Sequence, residues 1–395
     1  MVSVSDNAVL PDVAVPARLL RWPGRRFVAE VFDGADEALA ALDSVQGSLT
    51  STGFQTLNWL TVLYEELAPS HHALPRLVVV TERNSGEVCL ILPLVVKNKR
   101  GLRVARFADL GVSDYGAPIL GPAAPLKRRS IRRVWRAARS AMKDVDLIRL
   151  ERMPAEIAGR PNPLITRRGI TLARHTGNVI EIATTVEDFL RARGKKYRKE
   201  VERCSRLWEQ EGTPHFERAT TPAQIARGYS ALEEHQSKRH ETLGSKYILD
   251  EQPYSQFYER MVMDGADLEF SHLFTLEAGG QVVATLFGIV HDGTFTLLRI
   301  ANGGPRWSHL SPGRLIVVEA MKYFVERGVR RFDLGMGDYA FKRGFGATEV
   351  PLYDLFIARD LKAMPRAAFH RLKGRLRQSP RVRALVRRLK GNAKS

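Results

Sequence analysis

Residues 294–316 read TFTLLRIANGGPRWSHLSPGRLI, and this stretch decides the fold. Its first part, 294–301, predicts a strand, because it follows the Asp292-Gly293 pair that favours a tight hairpin turn after an apolar run. A polar loop comes next, and the apolar positions of 312–327 recur at helical spacing. The stretch therefore predicts a strand, a loop and a helix that packs back on a sheet.

The junction between this loop and helix is a candidate binding site. Ser311 is expected as the N-cap, with Pro312 at the first helical position and Gly313 next. A helix that begins at a strand end exposes backbone N–H groups to an anion, and Arg306 and Arg314 would add charged contacts. From spacing alone, a well-capped helix without a ligand explains these residues equally well.

A second candidate site follows that helix, in residues 331–346, RFDLGMGDYAFKRGFG. The first residues predict a strand in which Asp333 faces away from the neighbouring apolar side chains. Asp338 then lies at the strand's C-terminal end, where open α/β sheets bind ligands and a carboxylate can orient or deprotonate an acceptor. Lys342 could bind a phosphate or stabilise an oxyanion. A surface turn with an ion pair is the alternative, and this segment alone slightly favours that alternative.

The remaining periodicity predicts two similar α/β units with antiparallel hairpins. The expected division is a lead of 1–24, a first unit of 25–160, a second unit of 161–358, and a basic tail of 359–395. The strand predicted at 351–358 is expected to complete the second unit. The expected fold class is therefore α/β (α+β), with mixed, mostly antiparallel sheets flanked by helices.

Charge suggests a polyanionic partner. The chain of 395 residues has a formal net charge of +18, and thirteen Lys or Arg against one Asp fall between Arg359 and Ser395. The tail could form a basic amphipathic helix on an anionic membrane or a nucleic acid, and a solvated tail is an equal alternative. The charge of the remainder is mild and says little about chemistry.

Several classes are disfavoured by what the sequence lacks. It has no apolar run long enough to span a bilayer and no secretory pattern at its start, so a cytoplasmic protein, peripheral at the inner membrane face at most, is expected. Cys89 and Cys204 are too isolated for a disulfide framework, and no histidines have metal-ligand spacing. The hydrolase elbow, the phosphate loop and the dinucleotide fingerprint are also absent. No metal is expected.

The two junctions together resemble a known family. A strand, Ser-Pro-Gly and a helix, followed by Phe-Asp-x-Gly-x-Gly-Asp and a nearby lysine, resemble the CelD-like acetyltransferases associated with cellulose and exopolysaccharide synthesis, within the GNAT superfamily. FQTLNWLTVLYEEL, CLILPLVVKNKRG and FADLGVSDYGAPILGP in the first half also match. The resemblance covers about 27–358. Residues 341–346 are also similar to Fem-type aminoacyltransferases, which use aminoacyl-tRNA.

The resemblance implies tandem GNAT-like folds, of which the second, 161–358, is the expected catalytic one. It also implies an acyltransferase that moves an acetyl or acyl group from acyl-CoA to an amine or hydroxyl of a sugar- or envelope-related acceptor. The loop 306–313 lacks the usual glycine pair of the pyrophosphate motif. Two alternatives therefore stay open: a Fem-like aminoacyl-tRNA-dependent transferase, and a non-catalytic component of a polysaccharide-synthesis system. The acceptor and the oligomeric state are not predicted.

Specific residues follow from this hypothesis. The predicted catalytic residues are Asp338, Lys342 and Tyr339. Acyl-CoA is expected to contact Arg306, Ser311, Pro312, Gly313 and Arg314, and the acceptor to contact Asp333, Arg299 and Tyr353. Direct transfer requires positioning more than a covalent intermediate, which agrees with the lack of a nucleophile constellation.

Overall fold

The protein was analysed as a computed structural model that describes residues 26–167, 169–266, 268–337 and 339–378. Within these ranges the chain forms two large sheets, each flanked by helices. Most neighbouring strands are antiparallel, and each sheet contains one parallel pair. The predicted fold class is therefore confirmed. The predicted lead of 1–24 lies outside the described residues.

The strands are β1 (Phe27–Asp33), β2 (Leu74–Glu82), β3 (Val88–Lys99), β4 (Leu102–Phe107), β5 (Ile119–Leu120), β6 (Leu147–Pro154), β7 (Glu156–Ile157), β8 (Arg160–Pro161), β9 (Ile170–Leu172), β10 (Gly177–Glu181), β11 (His215–Arg218), β12 (Ser271–Ala278), β13 (Gln281–His291), β14 (Thr294–Asn302), β15 (Arg331–Asp333), β16 (Thr348–Val350) and β17 (Leu352–Ala358).

The α-helices are α1 (Ala35–Asp43), α2 (Leu57–Val62), α3 (Ala68–Ser70), α4 (Arg128–Ala141), α5 (Val186–Ala192), α6 (Lys195–Gln210), α7 (Pro222–Thr242), α8 (Gln252–Ala266), α9 (Pro312–Glu326), α10 (Ala340–Phe345) and α11 (Met364–Gln378). A π-helical turn, Leu63–Leu67, joins α2 to α3. The single helix predicted over 187–211 is two helices, because Gly194 between them has a φ of 92°, which ends helical geometry.

The first sheet has the strand order β1-β2-β3-β4-β6-β17-β9. β17 lies in this sheet and pairs antiparallel with both β6 and β9. The expectation that the last strand completes the second unit is therefore wrong. Its apolar residues pack against β6, with Leu355 buried in the core under α4. The division of the chain into domains at 25–160 and 161–358 otherwise stays a prediction.

The second sheet has the order β11-β12-β13-β14-β15-β10-β16. β14 and β15 are parallel neighbours, and α9 connects them, as a parallel pair requires. The helix packs one face on the sheet through Leu315, Val318, Met321 and Phe324, which are buried. The predicted β13–β14 hairpin and the helix after it are confirmed.

One apolar cluster joins the two sheets. It combines α2 and β2 on the side of the first sheet with α7 and α8 on the side of the second, and the rings of Trp59 and Phe257 meet edge-on with centroids 5.2 Å apart. Arg260 adds ion pairs to Glu65 and Glu66 across the same boundary. The two halves therefore present their facing loops to each other in a fixed arrangement. Among the described helices, none is long and apolar enough to cross a membrane.

Candidate active site

The site begins where β14 and β15 stop pairing. The two strands pair only between Thr294–Thr296 of β14 and Arg331–Asp333 of β15. β14 then continues to Asn302, whereas the chain after Asp333 bonds to the other side, with Leu334 N donating to Asn178 O at 2.8 Å. We call the opening between the two strands beyond these pairs the second splay. A ligand can enter at the carboxyl ends of neighbouring strands that diverge in this way.

A β-bulge shapes one wall of the second splay. Between β13 and β14 the register shifts so that Phe287 faces Arg299 while Gly288 faces Leu297, which leaves Leu298 as the extra residue. Bulges bend a strand and redirect its side chains. The bend therefore falls immediately after the last residues that pair with β15.

A buried carboxylate lies at the base of the second splay. Asp333 accepts hydrogen bonds at Oδ1 from the Tyr115 hydroxyl at 2.8 Å and from Gly335 N at 2.7 Å. Burial raises the pKa of Asp333 to about 6, although both hydrogen bonds act to lower it. Burial, together with the nearby carboxylates, raises the pKa of Tyr115 well above its ordinary value, so the phenol stays protonated and donates.

The first sheet supplies the second wall, through the loop 112–117 that follows β4. Asp114 Oδ2 accepts a hydrogen bond from Met336 N at 2.8 Å. Gly335 has a φ of 76°, and a Cβ there would lie 2.5 Å from Asp114 Oδ2. Only glycine allows this close approach. Trp59 Nε1 donates to Ser113 Oγ at 3.0 Å, which fixes the loop from beneath.

Lys342 lies beneath the glycine loop 335–337. Its Nζ donates to the carbonyls of Gly335 at 3.1 Å and Met336 at 2.6 Å, and the residue is 4% exposed. Burial lowers the pKa of Lys342, while Asp114 and Asp333 oppose that shift. Asn178 Nδ2 donates to the carbonyls of Gly335 and Gly337 at 2.8 and 2.9 Å. The loop is thus held by two side chains, and phosphate binding by Lys342 stays a prediction.

Arg299 reaches the same region from β14. Its guanidinium donates to the Tyr258 hydroxyl at 3.0 Å and lies 4.5 Å from the centre of that ring. Although burial acts to lower it, the pKa of Arg299 is raised, because the Tyr258, Tyr247 and Asp114 groups favour the cation. A half-buried cation therefore lies near the acidic groups of the cleft.

The predicted anion site is at the N-terminus of α9. Ser311 occupies the N-cap position and Pro312 the first turn, but Ser311 has a φ of 49°, and its side chain makes no capping bond within the described chain. The reason is that Ser311 also ends the short helical turn Pro305–Leu310, where a left-handed residue is common. A Cβ on Gly313 would lie 2.6 Å from Asn302 Oδ1.

The two arginines of this junction already have protein partners. Arg314 lies 3.4 Å from Glu200 and 5.5 Å from the centre of the Tyr197 ring. Arg306 lies 4.8 Å from the centre of the Trp307 ring. Arg314 would therefore exchange Glu200 for a phosphate if it binds one.

The other predicted residues are placed differently. Asp338 lies outside the described residues. Tyr339 is next to the glycine loop and 57% exposed, and its ring centre is 5.0 Å from Lys342 Nζ. Tyr353 is on β17 of the first sheet and packs against that sheet's core. The structure thus brings together Asp333, Lys342 and Arg299 but not Tyr353.

Asp114 and Tyr115 were not predicted as functional residues. Their signal in the sequence is a repeat: Asp114-Tyr115 follows β4 as Asp338-Tyr339 follows β15, and both pairs adjoin glycine. The two pairs do not lie at equivalent places, because β4 precedes the crossover helix of its parallel pair whereas β15 follows the crossover helix of its own.

The equivalent opening in the first sheet is filled. β4 and β6 pair in parallel over Val104–Arg106, and β6 then continues to Pro154. Gly116 lies in that opening, donating its N–H to Arg152 O at 3.3 Å, and a Cβ there would lie 2.6 Å from the Phe107 side chain. The loop 112–117 therefore closes the first opening and lines the second.

Comparison with known proteins agrees with this geometry. Residues 195–343 match the family model of the acetyltransferase (GNAT) domain. A crystal structure of FemX is similar with a TM-score of 0.56 at 12% identity, over 82% of this chain and 96% of that one. The structure of L-PGS from Bacillus licheniformis gives a TM-score of 0.49 at 12% identity, over 84% and 94%. No curated protein matches in sequence.

Proposed function

We propose that this chain, with its GNAT-type domain, is an acyltransferase that moves an acyl group from a CoA thioester to an amine or hydroxyl in the second splay. One observation carries the proposal: a buried carboxylate with a raised pKa lies at the base of an opening between two parallel strands. Such an opening accommodates an extended donor alongside β14, and the carboxylate lies where the acceptor would meet it.

The donor would lie along β14 beyond Leu297, with its pyrophosphate at the start of α9. Backbone N–H groups and the helix dipole favour negative charge there. The Asn302 side chain lies beside Gly313 and would have to move for a pyrophosphate to approach that backbone closely. Arg306 and Arg314 would supply charge-assisted contacts after Arg314 leaves Glu200. The donor needs no metal in this scheme.

The acceptor would lie between the second splay and the loop 112–117. Its nitrogen or oxygen attacks the thioester carbonyl and gives one proton to Asp333. The C–S bond then breaks, and the leaving thiolate takes up that proton, which restores the carboxylate. Asp333 is mostly ionised at neutral pH because its pKa is about 6, so it can take the acceptor's proton. Both of its hydrogen bonds end on Oδ1, which makes Oδ2 the oxygen that accepts.

Other residues would position the reactants. Asp338 would orient the acceptor, with Tyr339 beside the leaving thiolate, as the sequence predicts. Lys342 would hold the glycine loop and could contact a phosphate through that loop's rearrangement. The acceptor class proposed is a sugar- or envelope-related molecule, in line with the resemblance to CelD-like proteins of exopolysaccharide synthesis.

The second candidate is a Fem-type transferase that takes its acyl group from aminoacyl-tRNA. The likeness to FemX extends over both units, and the formal charge of +18 suits an RNA donor. A non-catalytic role in a polysaccharide-synthesis system stays a third hypothesis, because burial raises the pKa of Asp354 on β17 to about 6 as well, and a raised pKa alone does not mark a catalytic carboxylate.

The test is a comparison of donors on matched variants. Calorimetry with acetyl-CoA and with aminoacyl-tRNA identifies the donor, and transfer is then measured for Asp333→Asn and Asp354→Asn. Asp354 is the control because burial raises its pKa to about 6 as well, but it lies on β17. We expect a fall of roughly a hundredfold or more for Asp333→Asn and none for Asp354→Asn. Equal rates for wild type and Asp333→Asn would refute the role of this carboxylate.

A further inference from the structure

The helix α11 carries an apolar stripe on its outer face. Phe369, Leu372 and Leu376 are spaced three and four residues apart and are 61%, 57% and 48% exposed. Leu361 and Met364, at the start of the helix, are 81% and 55% exposed. Such spacing places the three later side chains on one face. Isolated exposed apolar residues are ordinary, but a continuous stripe on one helix is not.

The opposite face of α11 fixes the stripe in its outward position. The His370 ring stacks on Phe356 with centroids 4.4 Å apart, and the Arg371 guanidinium donates to Phe356 O at 2.6 and 2.9 Å. Ala367 is buried, and a Cβ on Gly374 would lie 2.5 Å from the Thr171 side chain. The helix cannot turn its apolar side inward without losing these contacts.

Basic side chains flank the stripe. At 100° per residue, Lys373 and Arg366 fall on one side of it and Arg375 on the other. The segment 361–378 contains no Asp or Glu. An exposed apolar centre with cationic flanks is the pattern of a helix that lies in the interface of an anionic bilayer.

We propose that α11 docks this protein on an anionic lipid surface, with Phe369, Leu372 and Leu376 among the acyl chains and the flanking cations at the headgroups. A second copy of the chain fits less well, because its stripe would bring like charges together. Residues 379–395 of the same chain also fit less well as a cover for the stripe, because they contain no acidic residue to pair with its cations. Their basic residues are Arg381, Arg383, Arg387, Arg388, Lys390 and Lys394. A nucleic acid would use the cations but leave the apolar stripe in water.

The experiment is vesicle sedimentation of the full-length protein. Vesicles of phosphatidylcholine mixed with phosphatidylglycerol are compared with phosphatidylcholine alone, for wild type and the triple variant Phe369→Ser, Leu372→Ser, Leu376→Ser. The control variant, Leu243→Ser with Leu268→Ser, changes apolar residues that are 66% and 61% exposed elsewhere. None of these positions contributes to the core, so folding is expected to persist in all variants.

We expect wild type and control to bind the anionic vesicles, and the triple variant to bind them at least roughly tenfold more weakly. Binding of wild type to phosphatidylcholine alone should be weaker than to the mixture. The proposal is overturned if the triple variant binds like wild type, which would assign binding to 379–395. It is also overturned if wild type binds an oligonucleotide but neither kind of vesicle.

Discussion

Replacing Asp333 by Asn should change how the stability of the protein depends on pH. The folded carboxyl has a pKa of about 6 against an ordinary value of 3.8, a difference of about 2 units or about 3 kcal/mol. Because the folded state holds this proton more tightly, the contribution is fully present below about pH 4 and is lost as pH rises through about 6. Asn keeps an oxygen for Tyr115 and Gly335 N but cannot titrate.

The assay is urea unfolding followed by tryptophan fluorescence at several pH values. The free energy of unfolding of Asp333→Asn minus that of wild type should increase by about 3 kcal/mol between about pH 4 and about pH 7. Other groups, such as the ion-paired Asp109, cancel in this difference. Asp354→Asn should give a similar slope, because its pKa is also raised to about 6. A difference that stays flat with pH for Asp333→Asn alone would refute the burial argument at the base of the second splay.

Three further predictions test the surroundings of this carboxylate. Tyr115→Phe removes a hydrogen bond that lowers the pKa of Asp333, so the acidic limb of the pH–rate profile should move to higher pH by roughly one unit. The control variant Tyr254→Phe should leave the limb in place. An unmoved limb in Tyr115→Phe would contradict the contact. Gly335→Ala should lower the free energy of unfolding by roughly 1–3 kcal/mol more than Gly86→Ala does. Gly86 is the control because it has a similar φ of 73° but open space around it. Equal losses would contradict the contact between Gly335 and Asp114. Calorimetry should give one donor per chain, because Gly116 fills the first opening, and two sites would show that the loop 112–117 moves aside.

Local pattern was enough to predict most elements and the outline of the site. The β13–β14 hairpin, α9 and the start of β15 each depend on short-range signals: turn pairs, helical spacing and alternation. Asp333, Lys342 and Arg299 were found because they belong to those elements. The structure places Asp333 and Arg299 near the second splay and Lys342 beneath the glycine loop, and their functional roles stay predictions.

Long-range placement was not encoded in these local signals. β17 reads as an apolar strand, and periodicity does not say which of two sheets it joins; the packing of Leu355 under α4 decides it. Asp114 and Tyr115 reach the second splay only because α2 and α8 share a core that holds the two halves together. The burial of Lys342 depends likewise on how the glycine loop folds over it.

Hydrogen exchange of the full-length protein with and without acetyl-CoA tests the central claim most directly. If the donor lies in the second splay, the amides of 297–302, 311–316 and 334–337 should exchange more slowly when acetyl-CoA is bound. The exchange of amides around Gly116, in the first opening, should be unchanged or slowed only through the shared loop 112–117. Protection confined to the first sheet, or none at a donor concentration that saturates the protein, would contradict the account.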